Sequence, residues 1–268
     1  MSKKLYEESS IRDIANAIRE KNGTTTKYKV AEMGAAVRDL PTGGGNPFEA
    51  FESLESFKLS SNSTITEVVA NIPNVTSLRG SFTSARSTPL ARIELTVSDK
   101  LTDVSYMFGN VAAFNLTEIV FKGDFSKVTS VNVAFSCVGT GINYSLKKIV
   151  GLDFTSVTNA GSVFASQAGL TDVEIKANTV NVSLGLNSQQ ALNIASCVNV
   201  LNALKDRTGQ DALTLTLHAA LKTADTGMIY ANYVKPDANT NLYVSCESTD
   251  ASAVTIAAAI TAKNWTIA

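Results

Sequence analysis

The sequence predicts an α/β solenoid with a parallel β-sheet on one face, preceded by a small N-terminal helical hairpin. Three observations support this fold class: an apolar pattern that returns every 26 to 29 residues, an amphipathic N-terminal segment that ends in a glycine-rich stretch, and a C-terminal region that breaks the pattern. With 44% hydrophobic and 18% charged residues, the chain of 268 residues has enough apolar material for a sizeable core.

The repeat is the strongest signal in the sequence. Residues 75–97, 101–125, 128–154 and 157–177 align with a Val or Leu at the start, a Phe seven residues later, and then a Leu followed three residues on by Ile or Val. The aligned positions are Val75, Leu101, Val128 and Val157; Phe82, Phe108, Phe135 and Phe164; Leu90, Leu116, Leu146 and Leu170; and Ile93, Ile119, Ile149 and Val173. A period in the twenties that combines a helical turn, a loop and a Leu-x-x-Ile strand is typical of a leucine-rich-repeat solenoid.

The recurring phenylalanines are predicted to form an internal spine. Each unit leaves apolar side chains that only a neighbouring unit can cover, so the rings should stack in register inside the solenoid. Residues 53–59 and 63–73 are weaker copies of the strand and extend the predicted solenoid to residues 50–185. Two aromatic residues of the second unit, Tyr106 and Phe114, are not explained by the repeat.

Residues 1–41 are predicted to form a separate helical hairpin. Apolar residues at helical spacing mark two short helices, and residues 42–49 form a glycine-rich linker. The apolar stripes comprise Ile11, Ile14 and Ile18 on the first helix and Val30, Met33 and Val37 on the second. So short a hairpin cannot bury much core alone, and we expect it to dock on a partner or to form a homo-oligomer.

Residues 186–268 are predicted to cap the solenoid, since a repeat array must close its exposed core at the end. Apolar spacing predicts a helix over residues 188–209, capped by Ser188 and ended by Gly209. The alternating segment "ALTLTLH" predicts a strand, and residues 249–268 predict a helix that runs into a last strand.

Composition and charge argue against several function classes. The net charge of −1 is spread along the chain, and no basic stripe indicates nucleic-acid binding. The N-terminus lacks the apolar core of a secretory signal, and no apolar run approaches a membrane span, so we expect cytoplasmic synthesis and no membrane insertion. The three cysteines (Cys137, Cys197, Cys246) lie far apart and the chain has one histidine, which predicts no disulfide framework, no zinc site and no cofactor.

No catalytic motif is recognisable in the sequence. The chain has no GxSxG, no HExxH and no phosphate-binding P-loop, and His218 is interpreted as a residue at a strand end. A carboxylate pair for glycoside hydrolysis stays open as an alternative, because sequence does not fix the separation of two carboxylates. The candidate carboxylates are Asp103, Glu118, Asp124, Asp153, Asp172 and Glu174.

Charged residues alternate in sign at one position of the repeat, two residues after each strand leucine. This position holds Arg92, Glu118, Lys148 and Asp172. The position two residues further along each unit holds Glu94, Val120, Val150 and Glu174. Parallel strands stack about 4.8 Å apart, so these side chains should form a ladder on an exposed face. The pattern predicts either cross-strand charge pairing or a polar surface that binds a partner. In the second case the contact residues would be Arg92, Glu94, Glu118, Lys148, Asp172 and Glu174.

The repeats resemble BspA-type leucine-rich repeats, whose unit carries a Met-Phe pair before the strand. The pair is complete at Met107-Phe108, and the other three units keep only the aromatic residue. Cys137 occupies a place where repeats of this type often have cysteine. The N-terminal hairpin is similar to a short module at the start of tail and baseplate proteins of phages that infect Gram-positive bacteria. The ending "ITAKNWTIA" resembles the closing lysine-glycine-tryptophan segment of the same proteins, with Asn264 in place of the glycine.

The resemblance implies a structural protein of a phage or prophage tail, located in the virion after cytoplasmic synthesis, that contacts the host surface. Its expected partners are a host cell-surface glycan or protein and other tail or baseplate proteins. No catalytic residues come with the resemblance, and we expect a non-enzymatic binding and assembly protein. A solenoid hydrolase acting on host cell-surface polysaccharide, an adhesin on the bacterial cell surface and a purely structural spacer stay open as alternatives.

Overall fold

The structure is a computed structural model that describes five continuous segments of the chain and a few positions beside them. The described residues are 64–83, 89–109, 115–136, 145–222 and 253–268, with Lys58, Leu242 and the strands 232–234 and 244–245. Several predictions lie outside these residues: the hairpin with Ile11, Ile14, Ile18, Val30, Met33 and Val37, the linker 42–49, most of the copy 53–59, and Phe114, Cys137 and Cys246.

A parallel-strand β-solenoid of about four turns forms the main body of the described chain, as the repeat predicts. Its sheet has the order β1-β2-β3-β4-β5, in which each strand pairs in parallel with the next one along the chain. The strands are β1 Glu67–Asn71, β2 Arg92–Val97, β3 Glu118–Gly123, β4 Lys148–Leu152 and β5 Asp172–Ile175. The weaker copy at residues 63–73 therefore supplies a strand.

Alternate residues of each strand point inward and build the core in two layers. The first layer consists of Val68, Ile93, Ile119, Ile149 and Val173, and the second of Ala70, Leu95, Phe121, Leu152 and Ile175. All ten side chains are buried. Because burial of one large aliphatic or aromatic side chain is worth about 1.5–3 kcal/mol, these layers are a main source of stability.

Each unit returns through a hydrogen-bonded turn rather than the predicted helical turn. The equivalent residue of each turn has a left-handed backbone, namely Gly80, Tyr106, Val133 and Ser162, with φ of 69°, 52°, 58° and 52°. The Gly80 N–H donates to the Tyr106 carbonyl at 3.1 Å, and the Tyr106 N–H donates to the Asn132 carbonyl at 3.0 Å. These bonds join neighbouring units, whereas the backbone bonds of an α-helix would stay within one unit. Stacking therefore favours the turn.

A threonine at the same position of four units links successive turns. The hydroxyls of Thr102, Thr129 and Thr158 each donate to the carbonyl oxygen of the threonine one unit earlier, at 3.2, 3.1 and 3.3 Å. Thr76 provides the first of these acceptors, and each carbonyl also accepts the backbone N–H of the same donor residue. Two hydrogen bonds per step thus fix the register of the turns.

The predicted phenylalanine spine is buried. Phe82, Phe108, Phe135 and Phe164 are each at most 4% exposed. The ring centroids of Phe82 and Phe108 lie 5.6 Å apart, and those of Phe135 and Phe164 lie 5.8 Å apart. The ring of Phe121, on β3, lies 6.2 Å from that of Phe135 and connects the spine to the sheet. These distances are typical of packed aromatic pairs.

The helix α1, Ile194–Ala203, is shorter than the predicted helix over residues 188–209. Its N-cap is Asn193, whose side chain accepts a hydrogen bond from the Ser196 N–H at 2.8 Å, so the predicted cap at Ser188 is wrong. The chain cannot turn helical earlier, because Gln189 is buried in the core and its Nε2 donates to a carbonyl of the preceding unit at 2.6 Å.

Side chains of α1 take the place of a sixth strand beside β5. The Val173 N–H donates to Ser196 Oγ at 2.9 Å, and the Ile175 N–H donates to Asn199 Oδ1 at 2.6 Å. In the opposite direction, Ser196 Oγ donates to the Thr171 carbonyl at 3.1 Å. The open edge of the sheet is thereby closed on this side, which prevents pairing with another chain.

The C-terminal region adds a second parallel sheet with the order β11-β7-β6. Its strands are β6 Leu184–Leu186, β7 Leu213–Leu217 and β11 Trp265–Ile267, and the helix α2 spans Ile256–Ala262. The strand predicted from "ALTLTLH" and the predicted final helix and strand are confirmed. The predicted boundary between residues 185 and 186 falls inside β6.

Lys263 and Trp265 fasten the end of the chain to α1. The buried Lys263 Nζ donates to the carbonyls of Leu201 and Leu204 at 2.8 and 2.7 Å, at the C-terminal end of α1. Carbonyls at this end of a helix lack partners within the helix and attract positive charge. Trp265 Nε1 donates to the Lys205 carbonyl at 2.8 Å, just beyond the same end.

Three short antiparallel strands accompany the second sheet. They are β8 Asn232–Val234, β9 Val244–Ser245 and β10 Val254–Thr255, in the order β10-β8-β9. Through β8, this sheet pairs with β10, which leads into α2. Among the helices that the structure describes, none has the length and apolar character to cross a membrane.

We expect Phe108→Ala to lower the free energy of unfolding by about 3–5 kcal/mol, because it removes a buried ring and leaves a cavity. Val69→Ala is the matched control, since Val69 is 49% exposed and its truncation should cost no more than about 0.5 kcal/mol. Urea unfolding followed by circular dichroism measures both values. Equal stabilities of Phe108→Ala and the parent chain would contradict the internal spine.

Two glycine substitutions separate backbone strain from steric collision. Gly151 and Gly209 have similar φ of 84° and 78°, so alanine at either position should cost about 1–2 kcal/mol for the left-handed backbone. At Gly151, however, a Cβ would lie 1.9 Å from the Phe121 carbonyl oxygen, whereas at Gly209 nothing lies within 4 Å. We therefore expect Gly151→Ala to be clearly the more destabilising variant in urea unfolding. Similar losses for the two variants would refute the close approach of β3 and β4.

Candidate functional site

The outward face of the five-stranded sheet carries the predicted charge ladder. The register places Arg92, Glu118, Lys148 and Asp172 side by side on four strands and adds Glu67 next to Arg92. The sign of the charge therefore alternates across all five strands, which is the arrangement that stabilises neighbouring strands. The predicted ladder is confirmed, and β1 extends it by one residue.

Arg92 is the centre of an ion-pair network on this face. Its guanidinium pairs with Glu67 on one side, with Glu118 at 2.7 Å on the other side, and with Glu94 on its own strand. All four side chains are partly exposed, so water screens their attraction and the network adds little stability per pair. Its main consequence is that several shared partners restrict the positions of these long side chains.

Two lysines extend the network. Lys148 Nζ lies 3.0 Å from Glu118 Oε1, and Lys122 pairs with Glu94. Hydrogen bonds from Lys122 and Arg92 lower the pKa of Glu94, and those from Arg92 and Lys148 lower the pKa of Glu118. The same hydrogen bonds raise the pKa of Arg92 and of Lys148. Both carboxylates thus lie between two cations, which favour their ionised form.

A second outward row runs beside the ladder and is mostly apolar. The register aligns Val69, Glu94, Val120 and Val150 on the first four strands. Val69 is half exposed, and Val120 and Val150 are partly buried between the charged side chains. The face therefore combines fixed charges with small aliphatic patches.

A β-bulge ends this row at β4. Between Ile149 and Leu152 the register with β5 shifts by one residue, and Gly151 accommodates the extra residue. Only glycine fits, because a Cβ would collide with the Phe121 carbonyl oxygen of β3. Glu174 of β5 lies opposite the bulge and so departs from the regular pairing of the ladder.

Glu174 differs from Asp172, the other outward carboxylate of β5. Asp172 accepts hydrogen bonds from Asn193 Nδ2 at 2.7 Å and from Thr171 Oγ1 at 2.5 Å. Glu174 is exposed and makes no hydrogen bond or ion pair with the residues that the structure describes. Its negative charge is therefore available to a partner.

Two clefts open on this face and meet at Glu174. The larger has a volume of about 530 Å³ and lies between the loops that follow β3 and β4; its polar lining comprises Asp124, Ser126, Asp153, Glu174 and Lys176. The smaller has a volume of about 270 Å³ and lies between β4, β5 and α1; its lining includes Lys148, Val150, Asp172, Glu174, Ser196 and Asn199.

The two aspartates of the larger cleft cap turns of the solenoid. Asp124 accepts from the Ser126 N–H at 2.8 Å, and Asp153 accepts from the Thr155 N–H at 2.9 Å. The hydrogen bonds from Ser126 lower the pKa of Asp124. Burial opposes ionisation of Asp153, but its bonds to Lys176 Nζ, at 2.7 Å, and to Thr155 outweigh burial and lower its pKa.

The remaining candidate residues make contacts that support the fold. Asp103 accepts from the Ser105 N–H at 2.8 Å in a turn of the solenoid. His218 follows β7, as expected for a strand-end residue, and its Nδ1 accepts from the Ala220 N–H at 3.1 Å. Cys197 is buried, and burial raises the pKa of its thiol to about 11. Within the described segments, no group of His, Cys, Asp or Glu side chains is arranged to hold a metal ion.

Tyr106, which the repeat does not explain, lies beneath Arg79 of the preceding unit. The guanidinium carbon is 4.5 Å from the ring centroid, a cation–π contact, and Arg79 Nη1 also donates to Ser105 Oγ at 2.9 Å. The tyrosine therefore stabilises the contact between two turns.

Sequence reasoning missed three side chains of this face. Glu67 lies on a weak copy of the strand that has no aligned leucine, and Lys122 and Lys176 lie just after the positions that were compared. A comparison of every second residue along the strands would have found Lys122, because outward positions recur with a period of two.

Comparison of the chain with protein-family models, with curated proteins and with solved structures found no match.

We expect the double variant Arg92→Gln, Lys148→Gln to lose stability near neutral pH and to approach the parent chain in acid. The folded pKa values of Glu94 and Glu118 are lowered, so their ionisation stabilises the fold above the unfolded pKa of about 4.3 and stops doing so as pH falls through the folded values. The double variant removes both cations that lower the pKa of Glu118 and one of the two that lower the pKa of Glu94, so this contribution becomes smaller.

The measurement is urea unfolding at about pH 7 and about pH 2.5, on either side of the carboxylate titration. The double variant Lys127→Gln, Lys205→Gln is the control, since it makes the same change in net charge away from the ladder. A loss of stability that is the same at both pH values, or that the control shares, would contradict a role for paired carboxylates.

Proposed function

We propose that this chain is a non-enzymatic binding and structural protein of a phage or prophage tail that attaches to the host surface through the outward face of its solenoid sheet. The resemblance of the N-terminal hairpin, the repeats and the ending to tail and baseplate proteins suggests the setting. A partner on the host, a cell-surface glycan or protein, would meet the charged face.

The observation that carries the proposal is a polar face whose side chains are already held in place. Arg92 contacts three carboxylates at once, and Glu118 contacts two cations. Because side chains that are fixed before binding lose less entropy on binding, such a face suits recognition. Helix α1 closes the edge of β5, so a partner at this edge meets side chains rather than pairing as an additional strand.

Binding is favoured over hydrolysis of a polysaccharide. A glycosidase needs one carboxylic acid that keeps its proton near neutral pH, which requires a raised pKa. Hydrogen bonds instead lower the pKa of Glu118, Asp124 and Asp153. Lowered values suit carboxylates that accept hydrogen bonds, either within the fold or from a ligand.

We further propose that the solenoid units are BspA-type leucine-rich repeats. The repeat period and the parallel sheet on one face agree with this assignment. Both members of the Met-Phe pair, Met107 and Phe108, are buried, as expected for residues that fill the space between the turn and the strand.

The N-terminal hairpin, residues 1–41, is proposed to anchor the chain to other tail or baseplate proteins or to form a homo-oligomer. This role rests on the apolar stripes of the sequence and on the resemblance alone. The solenoid would then be displayed outward from the virion.

We expect the full chain to be retained by host cell-wall polysaccharide and to release no reducing ends from it. The measurement combines a pull-down with insoluble polysaccharide and a reducing-end assay on the supernatant. Release of reducing ends would show a hydrolase, and absence of both retention and release would favour a spacer. The double variant Arg92→Gln, Lys148→Gln should be retained less than Lys127→Gln, Lys205→Gln if the ladder face makes the contact.

We expect deletion of residues 1–41 to abolish oligomerisation and incorporation into particles while retention by the polysaccharide persists. Light scattering gives the mass of the full and shortened chains, and sedimentation of assembled particles measures incorporation. An unchanged mass together with normal incorporation would contradict the anchoring role.

A further inference from the structure

We propose that the two clefts that meet at Glu174 form one binding groove for a saccharide that carries a protonated amine. This inference rests on the proposed attachment function and specifies the chemistry of the ligand. Glu174 is the residue that would pair with the amine.

The groove follows the outward side of β5. Asp172, Glu174 and Lys176 alternate with the inward residues of the strand, and each lines one or both clefts. At about 3.3 Å per residue, the distance from Asp172 to Lys176 along the strand is roughly 13 Å. A groove of this length fits an elongated ligand rather than a single small molecule.

The charged side chains of the groove have hydrogen-bond partners except at one point. Lys148 pairs with Glu118, Lys176 pairs with Asp153, and Asp172 accepts from Asn193. Asp124 accepts from the Ser126 N–H. Glu174, at the junction of the clefts, has no hydrogen-bond or ion-pair partner in the described part of the chain. A complementary ligand therefore carries a positive charge at this junction and neutral hydrogen-bond donors on either side of it.

The neutral groups are most readily hydroxyls. A carboxylate offers about four lone-pair positions, so Asp124, Asp153 and Asp172 can accept further hydrogen bonds from a ligand. Asn199 and Ser126 add polar atoms along the walls, and Val150 and Ala195 add small apolar surfaces in the smaller cleft. Hydroxyl groups on a ring with apolar C–H faces match this lining.

A peptide matches the groove less well than a saccharide. Extended peptides commonly bind by adding a strand to a sheet edge, but the N–H groups of Val173 and Ile175 are already bonded to α1. The larger cleft has a polar lining and no deep apolar pocket to receive a large side chain. A polyhydroxylated ligand that carries an amine satisfies both constraints.

The test titrates the full chain with a tetramer of glucosamine and, separately, with the tetramer of N-acetylglucosamine and with tetralysine, using isothermal titration calorimetry. We expect the glucosamine tetramer to bind and its acetylated counterpart to bind at least about tenfold more weakly, since a charge-assisted hydrogen bond is lost. Glu174→Gln should weaken binding of the glucosamine tetramer by at least about tenfold for the same reason.

Asp99→Asn is the matched control, because Asp99 is exposed, carries the same charge and lies outside both clefts. It should bind like the parent chain. Ala195→Tyr, at an exposed position in the first turn of α1, should also weaken binding by narrowing the smaller cleft. Thermal unfolding confirms that the variants are folded.

Four outcomes would overturn the inference: no binding of the glucosamine tetramer, equal binding of its acetylated form, tighter binding of tetralysine, or no effect of Glu174→Gln. Tighter binding of tetralysine would assign the groove to a cationic peptide. If the Glu174→Gln variant is retained on host polysaccharide as well as the parent chain is, the attachment function stands, and this groove does not contribute to it.

Discussion

Parallel stacking of one turn on the next is the constraint on which the structure depends. Each turn leaves an apolar layer and a row of backbone N–H and C=O groups uncovered until its neighbour arrives. The strand register, the threonine ladder and the turn bonds all connect the same pair of neighbours. A shift of one residue would exchange inward and outward side chains on a whole strand, so the register is strongly selected.

The same constraint explains why the chain changes character after β5. A further strand would leave another open edge, whereas α1 presents Ser196 and Asn199 to the two exposed N–H groups. The helix in turn ends in unpaired carbonyls, and the buried Lys263 from the end of the chain bonds to two of them. Each closing element thus creates a smaller unsatisfied surface, which the next element covers.

Much of this organisation can be predicted from the sequence, because the same residue pattern recurs in each unit. The phenylalanine spacing predicts the spine, and the alternation of Arg92, Glu118, Lys148 and Asp172 predicts the ladder, since both depend only on register. Features that break the repeat could not be predicted in the same way. The bulge at Gly151 depends on a contact with β3 that no pattern within β4 reveals.

The ends of elements also depend on contacts beyond the local sequence. Ser188 and Asn193 are both acceptable helix caps, and the burial of Gln189 in the core decides between them. Asn264 has φ of 60°, a left-handed conformation that glycine and asparagine adopt more readily than other residues. The left-handed position therefore accepts asparagine as well as glycine.

The candidate site follows from the contrast between paired and unpaired charge. Along the ladder every carboxylate on β1, β2 and β3 has a cation beside it, because unbroken register delivers a partner from the next strand. On β4 the position that corresponds to Glu174 is Val150, which carries no charge, and Glu174 on β5 has no hydrogen-bond or ion-pair partner among the described residues. Gly151 of the bulge lines the larger cleft beside it, so this irregularity forms part of the cleft wall. Recognition would therefore concentrate where the repeat is imperfect, while the regular strands hold that site rigid.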